Sequence, residues 1–155
     1  MKILVTGGSG YKGSVLIPEL LKDGHNVISF DTNWFGDNLE EHPSLKKIKG
    51  DIRNIESIPM DDVESIIHLA NIANDPAVEL SPNLSWEVNV LSSYQIADKA
   101  YRKGVRQIIY ASSGSVYGVK NEAKVTEDLE LVPISVYNKT KMVAERVFLS
   151  FKDQL

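Results

Sequence analysis

The sequence contains no cysteine. That absence removes disulfides and thiolate metal sites together, and it fits the cytoplasm. Histidine is also scarce: His25, His42 and His68 are the only three, and none stands at metal-ligand spacing from a carboxylate. We therefore expect no bound metal. Long apolar runs are missing too. The N-terminal one stops at Gly7, too short for a secretory leader, and no later stretch approaches the ~20 apolar residues of a membrane span. Positive charge is not in excess, since 17 Lys and Arg against 21 Asp and Glu leave a net charge of −4. A polyanionic partner is thereby disfavoured, because nucleic-acid binding needs a basic face. The one basic tract, Lys46, Lys47 and Lys49, reads as the solvated edge of a strand.

What remains is the composition of a single globular domain: 155 residues, 43% hydrophobic and 25% charged. Four apolar segments rich in β-branched residues recur at Lys2–Thr6, Val27–Asp31, Ser65–Leu69 and Gln107–Ala111, with a shorter fifth at Lys46–Lys49. Their near-continuous apolar character predicts buried parallel strands. Helical patterns lie between them. Tyr11–Lys22 ends at Asp23-Gly24, Trp86–Lys103 carries Val90, Tyr94, Ala97 and Tyr101 and ends at Gly104, and a last helix spans about Val136–Phe151 with Val143, Val147 and Phe151 at fours. Alternating strands and helices imply right-handed crossovers and an α/β, doubly wound parallel sheet covered on both faces. Pro18 falls inside the first helix and predicts a kink. The irregular stretch Thr32–Leu45 is expected to be a loop with a short helix.

The first strand runs straight into "GGSGYKG", four glycines within seven positions. It parses either as G-x-G-x-x-G through Gly8, Gly10 and Gly13 or as G-x-x-G-x-x-G through Gly7, Gly10 and Gly13. A glycine turn between a strand and a helix lets backbone N–H groups and the helix dipole receive a pyrophosphate. A plain turn would not call for Gly13 inside the helix. Asp31 ends the second strand eighteen residues after Gly13, where a carboxylate holds the adenosine ribose hydroxyls; a simple strand-end cap is the alternative. No arginine follows Asp31 in "DTNWF" to accept a 2′-phosphate, which favours NAD over NADP. In "GDIRN", Asp51 could accept from the adenine amino group and Ile52 pack on its ring, or Asp51 could be an ordinary turn residue.

Tyr137 and Lys141 stand four apart at the start of the last helix, on one face. The preceding strand ends in Ser112, Ser113 and Gly114. A phenol of pKa ~10 is a poor base at neutral pH, and an adjacent ammonium moves it toward the working range. Tyr137 is thus the candidate acid/base for a substrate hydroxyl, Lys141 its tuner and the holder of the nicotinamide ribose, and Ser113 the hydrogen-bond partner of the substrate oxygen.

These segments, "TGGSGYKG", Asp31, "DIR", "HLAN", "NVLSS", "ASSGSVYG" and "YNKTK", resemble in order the extended short-chain dehydrogenase/reductase superfamily, which includes NAD-dependent nucleotide-sugar epimerases and dehydratases. The resemblance covers essentially the whole chain. It implies a Rossmann fold and selects the parse through Gly7, Gly10 and Gly13, with Tyr11 and Lys12 beside the cofactor. Leu69, Ala70 and Asn71 would line the cofactor near its phosphates, Asn89 would join the cofactor-side residues as the structural asparagine of its helix, and His68 would be neither base nor metal ligand. It selects Ser113, four before Tyr117, as the catalytic hydroxyl.

Dehydratases of this superfamily place an Asp-Glu pair after that hydroxyl, whereas Gly114 and Ser115 stand here, so the chain resembles a 4-epimerase; a dehydratase, a ketoreductase and a non-catalytic NAD-binding or dimerisation module are the alternatives. Asn71 and Trp86 depart from the common Ala and Tyr and are expected to reshape the pocket entrance. Family members run to about twice this length, so residues 1–155 are expected to form the NAD-binding domain with its catalytic Ser, Tyr and Lys, truncated before the substrate region. Weak turnover alone, an uncovered apolar sheet edge at the last strand, a nucleotide-sugar substrate and a homodimer are the further expectations.

Overall fold

The computed structural model describes residues 1–153. Five strands form one parallel sheet: β1 (Lys2–Thr6), β2 (Asn26–Asp31), β3 (Leu45–Lys49), β4 (Ser65–His68) and β5 (Gln107–Tyr110), in the spatial order β3-β2-β1-β4-β5. Each expected strand is present within one residue at its ends. The order reverses beside β1, so the crevice between the ends of β1 and β4 is the topological switch point where such sheets bind ligands.

The strands lack alternation because both of their faces are buried. Leu4, Ile28 and Ile66 point into one core with Phe30, Ile96 and Ala100, while Ile3, Val5, Val27 and Ile67 point into the other with Ile17. The second core lies under α1 (Gly13–Lys22). The first lies under α4 (Ser92–Arg102) and α5 (Val136–Ser150). Coverage is complete only at the centre. Ile109 of β5, in line with Ile67 on the α1 side, is 48% exposed, so the expected two-sided cover stops short of this edge strand.

Three local expectations change. The helix α1 runs unbroken through Pro18, which is exposed. The stretch from Thr32 to Ser44 holds turns but no helix, with Asn33 and Gly36 at positive φ. The helix expected from Trp86 begins earlier: α2 (Asp75–Leu80) and α3 (Pro82–Trp86) precede it, and a π turn, Glu87–Leu91, joins α3 to α4. That turn moves the inward face onto Val88, Ser92, Ser93, Ile96, Ala97 and Ala100, and leaves Tyr94 and Tyr101 about half exposed. Small side chains, rather than the aromatic stripe, pack this helix. Likewise α5 buries Asn138, Thr140, Lys141 and Ala144, with Val143 and Val147 only half-buried. Of the basic tract on edge strand β3, Lys46 and Lys49 are exposed, while Lys47 pairs with Asp37 and Glu41.

Asn89, buried in the π turn, ties the helical layer to the site. Its Oδ1 accepts from the Ile72 N–H at 2.8 Å, and its Nδ2 donates to the Ile72 carbonyl and to Thr140 Oγ1, both at 3.1 Å. Truncation would leave the Ile72 N–H and Thr140 Oγ1 without this partner, while the Ile72 carbonyl would keep Asn71 Nδ2 at 3.0 Å. Asn89→Ala is therefore expected to cost on the order of 3 kcal/mol in urea denaturation; a loss near zero would show that Asn89 does not brace this loop.

Candidate cofactor and catalytic site

The turn after β1 is shaped by close backbone approach. Gly7 has φ +75°, and a Cβ there would stand 2.6 Å from the Ala70 nitrogen on the loop after β4. A Cβ on Gly13 would meet the Gly8 carbonyl oxygen, and one on Gly8 would meet Ser29 Oγ, both far inside contact distance. Gly13 thus seats the helix on its own turn, and Gly8, outside the parse through Gly7, Gly10 and Gly13, clears β2. The first turn of α1 carries neither a capping side chain nor an acid, leaving its positive dipole end open to an anion, although the Ser14, Val15 and Leu16 N–H groups already donate to the Gly10 and Lys12 carbonyls.

A cavity of about 740 Å³ runs from this turn across the switch point. Gly7, Gly10, Tyr11, Lys12, Asp31, Asp51, Ile52, Leu69, Ala70, Asn71, Tyr137 and Lys141 all line it, so the glycine turn and the last helix, far apart in sequence, face one space. Asn89 does not line it; this expected cofactor residue acts from behind, through Ile72. Gly13 also lies behind the wall. Asp31 accepts the Ser9 N–H at 3.0 Å on one oxygen and the Asn33 N–H at 2.8 Å on the other, which fixes the carboxylate at the end of β2. Both oxygens of Asp51 are taken by Arg53, with Nη2 at 2.6 Å from Oδ2, and that guanidinium holds its carboxyl below the usual range. Asp51 therefore meets any adenine as half of an ion pair, beside buried Ile52.

At the other end, Lys141 is buried and donates to the Ala111 carbonyl at 2.5 Å, its ammonium 4.2 Å from the Tyr110 ring centre. Burial pushes it down to about 8; Lys12 adds to that shift and Glu145 opposes it. The Tyr137 phenol is pushed up, by burial first, with hydrogen bonds from Ser113 and Asn71 pulling the other way and Asp75 adding to the rise. This corrects the expectation that Lys141 lowers it: the ammonium is engaged at Ala111. Ser113 caps the turn Gly114–Tyr117, accepting the Ser115 N–H at 3.3 Å.

His68, expected to be inert, is buried between Thr6 Oγ1 at 2.6 Å from Nδ1 and Ser93 Oγ at 3.2 Å from Nε2. Desolvation pushes it down to about 3, so it stays neutral. Among the described residues no cluster of potential ligands could hold a metal ion, and no helix is long and apolar enough to cross a membrane.

A profile of the NAD dependent epimerase/dehydratase family matches residues 3–155. The chain belongs to this NAD-dependent family. It is 30% identical over 151 residues to a UDP-glucose 4-epimerase of Lactobacillus helveticus, covering 95% of this chain and 46% of that protein. Among solved structures, a Thermus thermophilus UDP-glucose 4-epimerase with NAD superposes at TM-score 0.86 and 26% identity, over 99% of this chain and 51% of that one. A Streptomyces venezuelae dTDP-glucose 4,6-dehydratase with NAD superposes at TM-score 0.90 and 26% identity, over 99% and 52%. The chain thus spans about half the length of these relatives. The family's cofactor is NAD, and this cavity fits it: a tight glycine turn, an uncapped helix end for phosphates, and a fixed carboxylate.

Several lining residues were not legible in the sequence. Trp34 and Phe35, 61% and 85% exposed, stand at the mouth near Asp31; two aromatics three and four residues after Asp31 were the available signal. Leu84 and Val88 form the wall where Trp86 was expected, and Trp86 lies outside it. Asn71, by contrast, does face the site.

Two outcomes are expected. Asp31→Ala should weaken NAD binding about 10- to 100-fold by calorimetry and erase the preference over NADP; unchanged NAD affinity would remove Asp31 from the site. Folded Lys141 titrates near 8 against an ordinary 10.5. Below pH 8 the fold bears the full cost of a buried ammonium, and between the two values it sheds that proton before the unfolded chain does, so stability rises with pH there. Lys141→Met should therefore melt higher than wild type at pH 7, with the advantage shrinking above pH 8. A lower melting temperature at pH 7 would show that the ammonium's contacts outweigh its burial.

Proposed function

We propose that this chain is the NAD-binding, tyrosine-bearing part of a nucleotide-sugar 4-epimerase. The carrying observation is that Tyr137, Lys141 and the segment Ala111–Ser112 meet the glycine turn and Asp31 around one cavity, while Ser113 lies beside Tyr137 outside the lining. In that reading the backbone of the turn Gly10–Lys12 entering α1 holds the pyrophosphate, Asp31 the adenosine ribose, and Lys141 the nicotinamide ribose. Bound there, NAD would supply the acceptor for the hydride of the sugar carbinol carbon, and its reduced form the donor for the return. Tyr137 exchanges the proton of the carbinol oxygen, which Ser113 hydrogen-bonds. Its neutral phenol is ready to give a proton to the ketone oxygen. Taking one in the opposite direction requires the Lys141 ammonium to turn from the Ala111 carbonyl toward the phenolate.

Gly114 and Ser115, standing after Ser113, offer no acid–base pair for eliminating water, which favours epimerisation over dehydration. The relatives' names support a uridine-linked hexose as substrate. We further propose a cytoplasmic homodimer: Leu91 of the π turn, Tyr94 of α4 and Leu149 of α5, each about half exposed, offer an outward apolar surface suited to a second copy.

With residues 1–155 joined to the remainder of a 4-epimerase, Tyr137→Phe is expected to slow UDP-glucose/UDP-galactose interconversion by roughly 10²–10⁴ with NAD affinity unchanged. Interconversion at the wild-type rate would overturn the assignment. Calorimetry on the chain alone tests the cofactor half separately: absence of NAD binding by folded protein would defeat it.

A further inference from the structure

Three turns of α5 hold the segment that leaves β5. Tyr137, Lys141 and Glu145 follow at intervals of four on one face. Lys141 donates to the Ala111 carbonyl, Glu145 Oε2 accepts from Ser112 Oγ at 2.5 Å, and Tyr137 lies beside Ser113, whose Oγ is hydrogen-bonded to Ser115 Oγ at 2.7 Å. Two consecutive residues, Ala111 and Ser112, are therefore each gripped by one turn of the helix, and Ser113 follows them toward Tyr137. Ser112 and Glu145 both face a second, outer groove along β5 and α5, and Ser112 also lines the NAD cavity. The pair is thus the partition between the cavity and the open edge of the sheet.

We propose that Glu145 is a positioning residue: by clamping Ser112 it fixes, together with Lys141, the segment on which Ser113 is presented to Tyr137. This rests on the catalytic reading of Ser113 and Tyr137 given above. The bond has the short length of a hydroxyl donating to a carboxylate, a class roughly twice as strong as a neutral hydrogen bond. It pins a residue that no regular element holds, since β5 ends at Tyr110 and the turn begins at Gly114. The carboxylate serves a second purpose. The groups facing Lys141 are Lys12 from the approach to α1, Tyr110 of β5, His68 of β4, and Tyr137 and Glu145 of α5 itself. Of these, Glu145 supplies the negative charge that favours the ammonium.

Two variants of the whole chain separate the roles. Glu145→Gln removes the charge and weakens the clamp; Ser112→Ala removes the clamp and keeps the charge. The readouts are the pH titration of Lys141 by NMR of labelled lysine, and amide hydrogen exchange across the turn Gly114–Tyr117. In Glu145→Gln, Lys141 should titrate at lower pH than in wild type and the turn should exchange several-fold faster. In Ser112→Ala, the turn should exchange faster with Lys141 unmoved. Unchanged exchange and unchanged Lys141 titration in folded Glu145→Gln would overturn the proposal. Should that variant not fold, wild-type exchange in Ser112→Ala would overturn it alone. A chain that fails to bind NAD strikes the catalytic reading instead and leaves both readouts able to decide the clamp.

Discussion

The structure depends on how closely the backbone approaches itself where β1 ends. Gly7 turns against Ala70, at the head of the loop that leaves β4, with no room for a side chain between them. The Gly7 N–H reaches the Phe30 carbonyl at 2.8 Å, and the Leu69 N–H reaches Thr6 at 2.9 Å. The three central strands are thereby stitched together at their carboxyl ends. Because the strand order reverses there, the stitch also opens the crevice that becomes the cavity. A bulkier turn would separate the loops carrying Asp31 and Asn71, which form opposite ends of the same wall.

Burial at the far end has the opposite character. Lys141 is almost wholly enclosed, yet its surroundings offer an aromatic face and one carbonyl as its close contacts. An ammonium so placed is a cost to the fold, which the role proposed for Lys141 beside Tyr137 would explain. The buried His68 shows the contrasting solution. It is held neutral by two hydroxyl partners and stacks with Tyr110 at 5.8 Å, so it contributes shape without charge. Burial pushes both residues down, and their fates differ because the imidazole starts from 6.5 and the ammonium from 10.5.

Much of this was readable from residue order. The strands were legible because burial on both faces of a parallel sheet makes apolar character continuous, and the glycine turn because only a missing Cβ permits Gly7 and Gly13. The helices were less so. Tyr94 and Tyr101 look like a core stripe at helical spacing, but the π turn rotates the helix and gives the interior to Ser92, Ser93, Ile96 and Ala97. A small polar residue satisfied by a helix carbonyl, as Ser93 is by Asn89 at 2.7 Å, carries no hydrophobic signal. The ion pair of Asp51 with Arg53 and the direction of the Tyr137 shift were also hidden, because both depend on which partner a charged group chooses in space. Lys141 sits at the right interval from Tyr137, but its hydrogen bond goes to Ala111.

The central claim is that one cofactor lies across the switch point, its adenine end near Ile52 and its nicotinamide end at Tyr137. Nuclear Overhauser contacts between NAD and the isotope-labelled chain measure this directly. The predicted result is adenine protons in contact with the Ile52 methyls and nicotinamide protons in contact with the Tyr137 ring. Nicotinamide contacts confined to the surface around Trp34 and Phe35, with none to Tyr137, would contradict it.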